Sequence, residues 1–163
     1  MARAVLRNFA RILLGVLSVA AISNAARAGD ERLEYKLITM GVDTKVSPAS
    51  NIDGRILVSG KYFGVAFYKD GRIAVKDFVG EADLLKGIGI FRGYSTYTFQ
   101  DGASLTLSYV AESKPTGFHG DYTVISGTGA YANATGSGVF DSVPTKWTDG
   151  ATLFNATIDV HTP

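Results

Sequence analysis

The chain of 163 residues contains no cysteine, which excludes a disulfide framework, a thiolate metal site and a lipid anchor on an N-terminal cysteine. It has two histidines, His119 and His161, far apart in the chain, so we expect no metal site. It also lacks a Gly-x-Ser-x-Gly nucleophile elbow, and no Gly-Lys-[Ser/Thr] follows its glycine-rich turn. A serine hydrolase and a P-loop nucleotide site are therefore not indicated, and no cofactor is expected.

The first 28 residues contain no acidic side chain. An arginine-rich start and an apolar run at residues 12–22 precede Ala26-Arg27-Ala28, which fits an A-x-A cleavage site. The apolar run is shorter than the roughly 20 residues that a membrane-spanning helix needs. We predict a signal peptide at residues 1–28 and one mature domain at 29–163. An organellar transit peptide and an uncleaved anchor are the alternatives.

The charge balance points away from polyanionic partners. The chain has 16 Lys and Arg against 15 Asp and Glu, and removal of the arginines in the leader leaves a mildly acidic mature domain. Its charges are scattered, with no run of one sign, so we expect no nucleic-acid partner and no membrane insertion after cleavage. Export without any cysteine favours a bacterial envelope protein, periplasmic or secreted, that is held together by its core alone.

Strand and turn signals alternate through the mature domain. Asp70-Gly71 and Asp101-Gly102 each separate two runs of strand-forming residues and predict hairpin turns. The polar segment 41–51 is expected to be a loop, and residues 81–86 a single helical turn. Strands about ten residues apart predict an all-β antiparallel sandwich or barrel. An outer-membrane barrel is disfavoured, because the last strand lacks a terminal aromatic residue.

The segment 120–140, GDYTVISGTGAYANATGSGVF, is the most informative part of the chain. Gly127 and Gly129 permit a sharp turn between two strands. Together with the preceding Tyr97-to-Leu105 hairpin, the segment resembles the Gly-Thr-Gly turn and strand of the allene oxide cyclase-like and dirigent-like small β-barrels. The resemblance implies a closed eight-stranded antiparallel barrel with a pocket, and often a trimer. It carries over no catalytic residue, because turn and strand residues alone make up the match.

Alternation along each strand predicts which side chains face the lumen. It places inside the barrel the apolar residues of 103–112 and 151–161, and also those of three further strands. The expected inward sets in those three strands are Phe63, Val65 and Phe67; Ile73, Val75, Asp77 and Val79; Ile88, Ile90 and Arg92. Tyr62 and Tyr68 then fall on the outside, as a pair suited to a subunit interface.

The inward faces predict which residues line a ligand pocket. An apolar lumen with a few polar groups is typical of a small-molecule site. The alternatives for Asp77 and Arg92 are a salt bridge near the rim or solvent exposure, if the strand register is misassigned. Core packing is the alternative for the tyrosines. The predicted ligand-binding residues are Asp77, Arg92, Tyr97, Leu105, Leu107, Tyr109, Phe154 and Ile158.

The sequence is compatible with three functions. The first is an exported barrel that binds a hydrophobic small molecule, lipid-like or polyketide-like. The second is a cofactor-free isomerase or cyclase, as the allene oxide cyclase resemblance implies, which would act by holding its substrate in a reactive shape. The third is a structural envelope protein with a filled barrel.

Overall fold

The protein is a closed barrel of eight antiparallel strands, described here from a computed structural model that covers residues 29–147 and 150–163. Each strand pairs with the next along the chain, and β1 closes the barrel on β8. Within the described residues no helix is long and apolar enough to cross a bilayer. The predicted eight-stranded all-β fold is confirmed, whereas the predicted signal peptide at 1–28 lies outside the described residues. The strands are β1 (Gly29–Pro48), β2 (Arg55–Tyr68), β3 (Ile73–Leu85), β4 (Ile88–Phe99), β5 (Ser104–Lys114), β6 (Gly117–Thr128), β7 (Thr135–Val143) and β8 (Ala151–Thr162).

Both predicted Asp-Gly hairpins are turns in the structure. Asp70 joins β2 to β3, and its carboxylate accepts the backbone N–H of Arg72 at 3.0 Å. Asp101 joins β4 to β5 and accepts the N–H of Ala103 at 3.0 Å in the same way. Such a bond to the backbone two residues on is the reason Asp favours turns. These two turns lie at the same end of the barrel as the Gly-Thr-Gly segment, which continues into a short 3-10 helix, Gly129–Tyr131.

Two local predictions are wrong, because strand pairing extends further than the local sequence suggests. The expected loop at 41–51 belongs mainly to β1, which continues to Pro48 paired with Ile56. The expected helical turn at 81–86 is the end of β3, where Leu84 pairs with Gly89 of β4. Bonds to a neighbouring strand outweigh weak local preferences of this kind.

The inward faces predicted for β5 and β8 are correct, but those for β2, β3 and β4 are reversed. Val79 is 46% exposed and Phe67 47% exposed, and Ile88 and Ile90 also face outward. The lumen instead receives the alternate residues of these strands, namely Ala66, Tyr68, Ala74, Lys76, Phe78, Phe91, Ser95 and Tyr97. The expected outward pair Tyr62 and Tyr68 is wrong as well, since Tyr68 is buried and Tyr62 lines a cavity inside the barrel.

Two β-bulges adjust which side chains face inward. The register shifts at Val42 between Gly41 and Asp43, and again at Ile125, which is 50% exposed. A bulge adds one residue to one strand and so resets the alternation beyond it. The barrel interior is consequently filled at the hairpin end and middle by one continuous core of tyrosines, leucines and alanines.

Candidate functional site

A cavity of about 160 Å³ lies in the half of the barrel away from the Asp-Gly hairpins. All eight strands contribute to it, and it reaches the surface beside Met40 and Gly41, both exposed. The cavity is lined chiefly by aromatic side chains. They are Tyr62, Phe78, Phe91, Tyr109, Phe118, Tyr122, Phe140 and Phe154.

Several edge-to-face contacts hold these rings in place. Phe140 packs edge-on against Phe154, with ring centres 5.7 Å apart, and Phe91 packs edge-on against Phe118 at 5.2 Å. Tyr62 stacks on Phe78 at 4.9 Å. Aromatic pairs in such geometries gain about 0.5–1.5 kcal/mol beyond their burial. The walls are therefore fixed by ring-to-ring packing before any ligand enters.

One charged side chain, Lys76 of β3, lies among these rings and is only 4% exposed. Its Nζ donates a hydrogen bond of 2.8 Å to the hydroxyl of Tyr122. It also lies 4.6 to 5.8 Å from the ring centres of Phe78, Tyr97, Tyr109 and Tyr122. Within the described ranges no Asp or Glu side chain is buried, so no carboxylate shares the lumen with this amine.

Burial lowers the pKa of Lys76 to about 7, because the apolar surroundings disfavour the ammonium form. The four ring faces act in the opposite direction, since an aromatic face stabilises a nearby cation. Near neutral pH the amine therefore exists in both protonation states. A lysine exposed to water, with a pKa of about 10.4, has almost no free amine at that pH.

A row of tyrosine hydroxyls extends from Lys76 into the core. Tyr122 is 3.2 Å from the Tyr97 hydroxyl, which accepts a hydrogen bond of 2.8 Å from Tyr35. Burial raises the pKa of all three phenols, so each stays protonated at neutral pH. A phenol donates one hydrogen bond and accepts others, so the row supplies Lys76 with a partner that works in either protonation state.

The hairpin end of the barrel is closed by a cluster around Arg72. Its guanidinium donates to Glu31 at 2.5 Å and to the hydroxyl of Tyr131 at 2.7 Å, and it pairs with Asp70. The same guanidinium lies over the rings of Tyr68 and Phe99. This end is thus packed and ion-paired, and the cavity opens only toward the other end within the described part of the chain.

Comparison with known proteins identifies the architecture. No protein-family model matches the chain, and no curated protein does. Among solved structures, the pterocarpan synthase dirigent protein GePTS1 superposes with a TM-score of 0.55 at 14% identity, over 83% of this chain and 90% of that one. The pterocarpan synthase dirigent protein PsPTS1 gives 0.54 at 13% identity, over 82% and 95%. The fold is a dirigent-like small β-barrel.

The dirigent-like barrel places the eight predicted site residues in three locations. Tyr109 and Phe154 line the cavity. Asp77 and Arg92 are on the outer surface, where Arg92 pairs with Glu81 at 2.7 Å, so the prediction that they face the lumen is wrong. That these side chains bind a ligand remains a prediction. The other four predicted residues are buried in the packed core beneath the cavity: Tyr97, Leu105, Leu107 and Ile158.

The sequence patterns did not indicate Lys76, the one charged side chain that is buried in the described part of this barrel. The apolar Val75 and Val79 predict that their face of β3 points inward, which places Lys76 outside. The signal that would have found it is the alternate set Ala74, Lys76 and Phe78, which shares a face with Ala82 and Leu84.

Proposed function

We propose that this barrel binds a small molecule by enclosing an apolar ring or chain end in the cavity above Lys76. The observation that carries the proposal is the cavity itself, which is lined by eight aromatic side chains, reaches the surface at one end and holds one buried amine. Small-molecule sites typically combine apolar walls with a few placed polar groups. If the chain is exported as its N-terminus predicts, the ligand would be met outside the cytoplasm.

The volume limits how much of the ligand is enclosed. At about 160 Å³ the cavity is close to the size of engineered apolar cavities, of about 150 Å³, that hold one benzene molecule. We therefore propose a ligand with one six-membered ring, or a short alkyl end, inside the barrel. Any larger portion projects past Met40 and Gly41.

Lys76 sets the preferred head group. A protonated amine with no carboxylate beside it in the described lumen lacks a counter-ion, and an unpaired buried charge is costly. A ligand that brings a carboxylate or phenolate to the cavity floor would supply that counter-ion. The proposed ligand is thus an apolar molecule with an acidic group at its enclosed end.

Toluene is expected to bind the wild-type barrel with a Kd of roughly 1 mM, about −4 kcal/mol. Thr152 lines the cavity, and Thr152→Trp should place an indole in it and weaken binding by at least about tenfold. Asn155→Trp puts the same side chain on the outer face of the same strand and serves as the control. Titrations followed through the Ala111 methyl resonance measure both. Equal affinities for the two variants would place toluene outside the barrel.

Benzoate is expected to bind more weakly as the pH rises, because Lys76 loses its proton. Burial lowers the pKa of Lys76 to about 7, so the ammonium is present below this pH and lost above it, while benzoate stays ionised. Its affinity should fall about 100-fold from pH 6 to pH 9. Calorimetric titrations should show a flat profile for benzyl alcohol, and for benzoate with Lys76→Met. A flat benzoate profile in the wild type would contradict the assigned head group.

A second candidate function, a cofactor-free isomerase, is favoured by one specific observation. An amine with a pKa of about 7 inside an apolar cavity suits proton transfer, because acid–base catalysis works best with a pKa near the working pH. Tyr122 would pass protons to and from it over 2.8 Å. Exchange of an enclosed ligand's carbon-bound protons with deuterated solvent, lost in Lys76→Met, tests this function.

A further inference from the structure

We propose that Lys76 reacts covalently with aldehydes that enter the cavity, preferably single-ring aromatic aldehydes, to form an imine. The inference rests on the proposed function, because the aldehyde must first occupy the same cavity. It goes further by assigning a chemical reaction to the amine rather than a binding role alone. The reacting atom is Nζ, which lies among the cavity walls and makes one hydrogen bond, to Tyr122, within the described part of the chain.

Burial makes this amine a nucleophile. A lysine desolvated in an apolar pocket keeps a free lone pair near neutral pH, which a solvated ammonium does not. No buried carboxylate among the described residues stabilises its charged form. Every other described lysine of the barrel is exposed to solvent. Lys76 therefore differs from all of them in the property that imine formation requires.

The geometry also supplies a proton carrier. In the first step the Nζ lone pair forms a bond to the carbonyl carbon, the carbonyl π electrons move to oxygen, and a proton passes from nitrogen to that oxygen. In the second step the remaining nitrogen proton passes to the hydroxyl oxygen, the carbon–oxygen bond breaks, nitrogen forms the double bond, and one water molecule leaves. The Tyr122 hydroxyl, 2.8 Å from Nζ, is placed to relay both protons. Aldehyde and amine thus give imine and water, with no oxidant or reductant.

The cavity selects the aldehyde. At about 160 Å³ it admits one ring, and its wall residues Phe78, Tyr109 and Phe140 offer aromatic surface to that ring. An aldehyde carries only hydrogen on the second side of its carbonyl carbon, so it fits where a ketone would need more room. Benzaldehyde is accordingly the probe of choice.

The experiment traps the imine with sodium cyanoborohydride. Wild-type protein is incubated with benzaldehyde and the reductant at pH 7.5, and peptides are mapped by mass spectrometry. A benzyl group is expected on Lys76, formed roughly 600-fold faster than on exposed lysines such as Lys36, because at pH 7.5 about three quarters of Lys76 and about 0.1% of an exposed lysine is free amine. Excess toluene should block the reaction at Lys76 and leave the exposed lysines unaffected.

Two variants separate chemistry from folding. Tyr122→Phe removes the hydroxyl beside Nζ and should slow adduct formation about tenfold while toluene still binds. Tyr131→Phe removes a hydroxyl from the closed end, near Arg72, and should leave the rate unchanged. Circular dichroism and the toluene titration establish that each variant is folded with its cavity intact.

The outcomes distinguish the two proposals. An adduct confined to Lys76 and blocked by toluene supports imine formation. Toluene binding without a Lys76 adduct overturns it and leaves the binding function standing. Labelling spread evenly over the exposed lysines overturns it too. If neither toluene nor benzaldehyde reaches the cavity, both proposals fail.

Discussion

Replacing Lys76 by methionine is expected to raise the free energy of unfolding by about 3 kcal/mol at pH 7. In the folded chain burial lowers the pKa of Lys76 to about 7, whereas an unfolded lysine has a pKa of about 10.4. The cost of the buried ammonium is then about 4 kcal/mol at pH 7. Loss of the Tyr122 hydrogen bond offsets about 1 kcal/mol of the gain.

The sign of the pH dependence follows from proton binding. Between about pH 7 and pH 10.4 the unfolded state holds a proton that the folded state has released, so wild-type stability rises with pH across this window. Below pH 7 the full free-energy cost of burying the ammonium is present, and above pH 10.4 this cost is gone. The advantage of Lys76→Met should therefore shrink to about 2 kcal/mol at pH 9 before the hydrogen-bond offset.

Urea unfolding of wild type, Lys76→Met and Lys36→Met at several pH values between 6 and 10 measures this effect. Lys36 points outward on β1, so Lys36→Met removes an exposed lysine and leaves the buried one in place. Its free energy of unfolding should follow that of the wild type at each pH. Parallel pH profiles for wild type and Lys76→Met would mean that the amine is solvated in the folded state.

Gly127→Ala is expected to cost about 3 kcal/mol of stability, through a clash and not through backbone strain. A β-carbon on Gly127 would lie 2.2 Å from the carbonyl oxygen of Tyr131 and 2.9 Å from that of Ser104. Both are backbone atoms, so the turn itself would have to move. The backbone of Gly127 does not adopt the left-handed conformation, whereas Gly129 has φ of +60°. The two glycines of the motif are thus required for different reasons.

Asparagine separates those two reasons, because it tolerates the left-handed conformation better than other residues with a β-carbon. Gly129→Asn should cost about 1 kcal/mol, mainly because its β-carbon would lie 3.0 Å from that of Ala103, whereas Gly129→Val should cost about 1–3 kcal/mol. Gly127→Asn should be as damaging as Gly127→Ala, since the clash starts at the β-carbon. Denaturant midpoints for the four variants test the set. A harmless Gly127→Asn would show that Tyr131 does not approach this glycine as the structure places it.

Much of the barrel could be predicted from local sequence. The Asp-Gly turns are marked by residues whose side chains bond their own backbone. In β8, Asn155, Thr157 and Asp159 alternate with apolar residues between Phe154 and Val160. In such a strand one face alone can be buried without loss, so its inward set follows from the pattern. Strand spacing predicted an antiparallel sandwich or barrel, and the resemblance of the glycine motif to dirigent-like proteins implied the closed eight-stranded form.

The candidate site could be predicted only in part. Tyr109 and Phe154 follow from strands with one polar face, but β3 and β4 carry apolar residues on both faces. In these two strands the alternation is compatible with either face pointing inward. The face with the bulkier β-branched residues predicts that Asp77 and Arg92 lie inside, which is wrong. Closure of the barrel decides which face of β3 and β4 points inward, because an eight-stranded barrel has room inside for little more than side chains. The lumen takes Ala74 and Ser95 beside its aromatic rings, and the valines and isoleucines of β3 and β4 remain outside.

The two hairpins and the inward faces of β5 and β8 follow from the sequence alone, since each depends on residues adjacent in the chain. The extent of β1 and β3 and the surroundings of Lys76 depend on strand pairing and barrel closure. Its pKa and its hydrogen bond depend on rings from β3, β4, β5 and β6 that meet around one amine. Burial of this amine is completed by the closed barrel, because the alternation along β3 offers two apolar faces and closure selects the one that carries Lys76.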